Sequence, residues 1–135
     1  MATDPGPAPL IRQVDCIQIP VSDLDAGLAF YRDKLGHELI WRTDTAAGLR
    51  LPESKAEIVL QTERPQLEPN LKVDSADEAS QRFVMAGGSV VVPPFDVAIG
   101  RCVVVQDPFG NRLVLLDMTK GRFVTDEFGN VTGNA

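Results

Sequence analysis

The sequence predicts an α+β fold in which two βαβββ units form curved mixed sheets around a cup-shaped cavity. Three observations point to it. Strand-like alternation and helical periodicity follow one another in the same order twice. Each helix closes on glycine, the residue that ends helices most readily. The two stretches also overlay at nearly constant offsets.

Residues 1–10, rich in Pro, Ala and Gly, read as a disordered lead-in. VDCIQIPV alternates as a strand, with Ile17, Ile19 and Val21 on one face and Cys16 and Gln18 on the other. SDLDAGLAFYRDKLG reads as a helix, with Ser22 as N-cap and Asp23 and Asp25 in the first turn. Leu24, Leu28, Tyr31 and Leu35 form its apolar stripe, and Gly36 stops it. HELIWRT, AGLRL and AEIVLQTE follow as three strands separated by turns. NLKVD then opens the second unit. SADEASQRFVMAGG is its helix, entered through a capping box of Ser75 and Glu78. SVVVPP, RCVVVQ and NRLVLLDM are its remaining strands, the last two joined by the turn DPFGN.

At an offset of 52 residues Val21 falls on Val73, Asp25 on Asp77, Tyr31 on Phe83 and Gly36 on Gly88. At 55, Ile58–Val59–Leu60 falls on Leu113–Val114–Leu115. Duplication of one unit accounts for both, with a loop absorbing the difference. The expected domain spans 11–118, with units 11–63 and 68–118, and a hairpin-like tail over 119–135. Each helix should cover the outer face, which carries Ile17, Ile19, Ile58, Leu60, Leu71, Val73, Leu113 and Leu115. The inner face is mixed, with Glu57 and Lys72 among its solvated members, and suits a small-molecule pocket.

A net charge of −6 and a pI near 4.7 exclude nucleic acid as the expected partner, since phosphate needs clustered Lys and Arg. No apolar run is long enough to span a membrane. The opening MATDPGPAPLIRQ lacks the pattern of a signal peptide, so a cytoplasmic location is expected. Cys16 and Cys102 lie far apart without metal-ligand spacing and read as free, buried thiols.

VSDLDAGLAFYRDKLG resembles the first-helix signature of the vicinal-oxygen-chelate superfamily, and DPFGNRLVLL resembles its final hairpin. The resemblance runs from about Ile11 to Met118 and implies the glyoxalase/bleomycin-resistance/dioxygenase type of fold. Enzymes of that superfamily hold a divalent metal with four inward side chains, one from the first and one from the last strand of each unit. Carried over residue by residue, those positions fall on Cys16, Val59, Glu68 and Val114. Two valines cannot ligate, and one thiol with one carboxylate is a poor site for a divalent ion.

The expectation is therefore a small-molecule-binding protein without the family's metal or any cofactor, and with no assigned catalytic residue. Its candidate ligand-binding residues are Cys16, Gln18, Trp41, Val59, Gln61, Glu68, Asn70, Val114 and Leu116. The alternative is a lyase of the lactoylglutathione type or a dioxygenase, using the family's metal or a non-standard site at Cys16 and Glu68. Trp41 either stacks on a ligand or simply packs. His37 reads as a rim residue, Glu63 and Arg64 as solvated linker. The resemblance also implies a homodimer, and the tail could cover a sheet edge or cross to a partner.

Overall fold

Residues 8–135 are described in a computed structural model of the chain, so the first seven residues of the expected lead-in lie outside the described part. Leu10, from the same lead-in, packs against a core cluster. The chain then forms β1 (Gln13–Pro20), α1 (Leu24–Leu28), β2 (Leu39–Arg42), β3 (Ala46–Arg50) and β4 (Glu57–Gln61). The same grammar returns as β5 (Glu68–Lys72), α2 (Ala76–Met85), β6 (Ser89–Val97), β7 (Gly100–Gln106) and β8 (Arg112–Asp117).

These eight strands form one mixed sheet in the order β2-β3-β4-β1-β5-β8-β7-β6. The units meet through their first strands, β1 and β5, which pair antiparallel. Within each unit the first and last strands pair parallel, β1 with β4 and β5 with β8. The duplication extends to register. Gln18 stands opposite Val59, and Asn70, 52 residues on from Gln18, stands opposite Val114, 55 on from Val59.

Both helices lie on one face of the sheet. Leu24 and Leu28 pack with Ala47, Leu49 and Leu60, while Ala76 and Ala79 pack with Val73, Val103, Val105 and Leu115. Burial of these side chains supplies most of the driving force, at ~1.5–3 kcal/mol for each large one. The outer-face set expected from alternation is the set found, apart from Ile17, which belongs to neither cluster.

Two local readings need correction. Asp23, not Ser22, caps α1: its carboxylate accepts the Asp25 N–H at 3.2 Å. The Val21 N–H is still bonded to the Gln61 carbonyl at 2.9 Å, so the chain has not yet left the sheet at Ser22. Beyond Leu28 the helix also widens into a π-helical segment, Ala29–Lys34, in which the Leu35 N–H donates to the Phe30 carbonyl at 3.0 Å. One extra residue per turn rotates Leu35 off the apolar stripe, and it is 54% exposed. Gly36, with φ +85°, ends the segment in the left-handed conformation that suits glycine.

The tail forms the expected hairpin, β9 (Phe123–Thr125) with β10 (Val131–Asn134). It starts against unit two, where the Lys120 N–H donates to the Ile99 carbonyl at 3.0 Å. Its turn reaches the β2 edge of unit one, where the Arg42 N–H donates to the Gly129 carbonyl at 2.7 Å, and its end returns to pair with Arg122. Between those anchors it crosses the sheet face opposite the helices.

Candidate functional site

The inner face is laid out in rows fixed by strand register. Val59, Gln18 and Glu68 stand side by side across β4, β1 and β5. The next row runs Glu57, Cys16, Asn70 and Val114 across β4, β1, β5 and β8. Every expected site residue except Trp41 therefore comes from the four central strands, with Gln61 opposite Pro20 and Leu116 opposite Lys72. Cys16, Val59, Gln61, Glu68, Asn70, Val114 and Leu116 are all buried. Among the described residues, Asn70 Oδ1 is the one buried side-chain oxygen or nitrogen without a hydrogen-bond partner, in a residue 7% exposed. Such a group is costly to leave unpaired.

Trp41 packs, and it does so inside the site. It stands opposite Gly48, and a Cβ at position 48 would overlap the indole nitrogen. Lying across β3, its Nε1–H reaches β4 and donates to Glu57 Oε1 at 2.8 Å. Phe123 of the tail covers it, with ring centroids 4.9 Å apart and planes inclined by 51°. The tail thus closes part of the cup over the indole, and Glu57 is a half-buried hydrogen-bonded group instead of a solvated one.

Asp15 joins the inner face through a register shift between Val14 and Cys16. A bulge aims two successive side chains the same way, which strict alternation forbids. Burial pushes the Asp15 carboxyl above its ordinary value, opposed by the Cys16 thiol and by Arg122 and Lys72. Burial pushes Glu57 up as well, opposed by Trp41. The Cys16 thiol is raised far more, by burial first and then by Asp15 and Glu57. It is therefore protonated at neutral pH and unsuited to be a nucleophile. Cys102 is pushed to about 11, again chiefly by burial. Both thiols are free and buried, as expected.

A carboxyl whose pKa is raised on folding costs stability once pH exceeds its unfolded value, 4.5 for Glu57. Glu57→Gln, which keeps an acceptor for Trp41, should melt higher than the parent at pH 7. The difference should vanish below pH 4, and thermal melts across that range measure it.

The linker holds the largest departure from the sequence reading. Arg64 is exposed, as expected of the linker, but its side chain is committed: its Nε–H donates to Glu68 Oε1 at 2.6 Å and an Nη2–H to Gln18 Oε1. His37 stays at the rim, its Nδ1 3.1 Å from the Arg50 carbonyl oxygen. Two clefts open beside the linker. One, of about 420 Å³, is lined by Pro20–Ser22 and Thr62–Pro65. The other, of about 490 Å³, lies between Gln66–Pro69 and the β7–β8 turn.

The family model described as Glyoxalase/Bleomycin resistance protein/Dioxygenase superfamily matches residues 13–115. The chain belongs to this superfamily. No curated protein matches it. Among solved structures it is similar to methylmalonyl-CoA epimerase from Mycobacterium tuberculosis, with TM-score 0.68 and 22% identity over 80% of this chain and 89% of that one. It is also similar to the Mn(II)-bound glyoxalase from Novosphingobium aromaticivorans (TM-score 0.61, 20% identity, 82% of this chain). A third likeness is to an extradiol ring-cleaving dioxygenase from B. fuscum (TM-score 0.60, 21% identity, 86% of this chain). The chain matches only 40% and 35% of the length of those last two. At these identities the likenesses speak for the fold, which hosts several chemistries.

The superfamily's metal does not fit this donor set. Of the four carried-over positions, Val59 and Val114 offer no donor, which leaves one buried thiol, Cys16, and a Glu68 carboxylate already paired with Arg64. Among the described residues no three His, Cys, Asp or Glu side chains cluster as metal ligands do. Asp117, the next carboxylate along β8, is committed elsewhere, to the start of α2. No helix among the described residues is long and apolar enough to cross a membrane.

Register alone marked Cys16, Gln18, Glu68, Asn70 and the valines as neighbours. Sequence reasoning missed Asp15, Arg64 and Phe123. A bulge, a folded linker and a tail crossing the sheet leave no periodic signal. For Arg64 the i, i+4 spacing to Glu68 was visible, but it carries meaning only inside a helix.

Proposed function

We propose that the protein binds a small organic molecule on the inner face of the sheet, without the superfamily's metal. The observation that carries this reading is the Asn70 amide, buried between Cys16 and Val114 with Oδ1 unpaired. Folding alone gains nothing from a polar group there, whereas a ligand donor or a water would complete it. The surroundings have the composition of a ligand site: apolar Val59, Val114 and Leu116, polar Gln18 and Glu57, and an indole at the edge. A ligand reaching Asn70 has to share the face with the tail, so Phe123 and Trp41 form its wall.

A thermal-shift screen of cationic drugs, glutathione adducts and small aromatics, with and without EDTA, tests the proposal. At least one class should raise the melting temperature, and EDTA should not alter the shift. Asn70→Val should leave the free protein as stable as the parent or more so, since it removes an unpaired buried amide. It should also weaken the ligand shift. A hit that depends on EDTA-removable metal, or one unaffected by Asn70→Val, counts against the reading. The homodimer that the resemblance implies is part of the same proposal; sedimentation showing only monomer at micromolar concentrations removes it.

A further inference from the structure

The linker between the units is held at one residue with unusual completeness. Gln61, at the end of β4 and 3% exposed, accepts the N–H groups of Glu63 and Arg64 on Oε1, each at 2.8 Å. Its Nε2–H donates to the Arg64 carbonyl at 2.8 Å. A buried amide thus fixes both backbone groups of residue 64, which sets where its side chain starts. From there the guanidinium reaches back over the inner face to the oxygens of Glu68 and Gln18. Gln18 stands between Val59 and Glu68, so Arg64 spans the row that carries two of the four positions where the superfamily's metal ligands stand.

We propose that Arg64 is the protein's resident cation, supplied by its own linker where the superfamily otherwise places a divalent ion. The chemistry of the donor set favours it. A divalent ion needs several oxygen, nitrogen or sulfur donors, and the valines leave too few. A guanidinium needs only acceptors in its forked plane, and here it finds two. Glu68, 2% exposed, requires a positive partner wherever it comes from. Lys72, four residues along β5, makes no ion pair among those of the described residues, and Arg112 is bonded to Gln66 at 3.0 Å. The contact also ties β1 to β5, the first strands of the two units. It goes beyond the ligand reading and does not depend on a ligand being found.

The full-length parent, Arg64→Met, Arg64→Lys and the double variant Arg64→Met/Glu68→Gln decide the matter. Each is melted, and each is incubated with Mn²⁺ or Zn²⁺ and desalted before metal analysis. The parent should retain no stoichiometric ion. Arg64→Met should lose roughly 5–10 °C in melting temperature. The double variant should recover most of that loss, because the buried charge is gone as well. Arg64→Lys, which keeps the charge without the fork, should fall between. The proposal is overturned if Arg64→Met melts with the parent, or if the double variant does no better than the single one. Failure of the double variant to fold overturns it too. An ion retained by the parent and lost in the double variant overturns both this proposal and the metal-free reading. A ligand screen without hits touches only the latter's binding claim.

Discussion

Asp117→Ala should lower the unfolding free energy by about 3 kcal/mol, on the scale of a buried acceptor that leaves several donors unpaired. Asp117 is 5% exposed. Its Oδ2 accepts the Ala76 N–H at the start of α2, and its Oδ1 accepts the Arg101 N–H, both at 2.9 Å. The Thr119 hydroxyl adds a third bond at 2.8 Å. One carboxylate therefore joins the end of β8 to a helix N-terminus, to β7 and to the root of the tail. Burial works against its charge, but the Ala76, Arg101 and Thr119 donors win and hold the carboxyl below 3.8. A carboxyl depressed on folding stabilises the protein above its unfolded pKa, and that contribution fades as pH falls below 3.8. Denaturant titrations at pH 7 and pH 3 should show a large penalty for Asp117→Ala at the first and a smaller one at the second. An equal penalty at both would mean that packing, not the charged hydrogen bonds, is what Asp117 contributes.

Gly48→Ala should cost about 2–3 kcal/mol, the range for forcing extra atoms into a packed site. The loss should come with a specific spectroscopic change. The added methyl takes the space of the indole, so Trp41 must leave both Glu57 and Phe123. Trp41 is the single tryptophan of the chain, so its emission reports the event directly. A shift to longer wavelength is expected for Gly48→Ala. A chain ending at Met118, which lacks Phe123, should show a similar shift without the same steric strain. Unchanged emission in both would mean that the indole is not seated across β3 under the tail.

Much of the architecture could be read from patterns of period two and period 3.6. Ile17, Ile19, Ile58 and Leu60 alternate because one face of their strands is covered by α1, and Leu113 and Leu115 repeat the arrangement under α2. The glycine stops and the serine cap of α2 were equally legible: Ser75 Oγ does accept the Glu78 N–H, at 3.2 Å. Errors arose where a local pattern was interrupted. Leu35 obeys the stripe in the sequence and leaves it in space, because a π turn inserts one residue. Asp15 should point to the outer face by alternation and is turned inward by the bulge before Cys16.

The sequence by itself determined the two repeated units, the covered face of the sheet, and the absence of the superfamily's donor set at Val59 and Val114. Each of these depends on residue type at a fixed spacing, which the chain carries locally. Only the tertiary structure decided what replaces that donor set. The Arg64 linker folds back onto Glu68, the tail lays Phe123 over Trp41, and Asn70 is left buried without a partner. None of these can be read from a strand or helix period, because the linker and the tail that make them belong to neither repeated unit. They follow from where β1 and β5 meet, and that is set by the packing of the whole sheet.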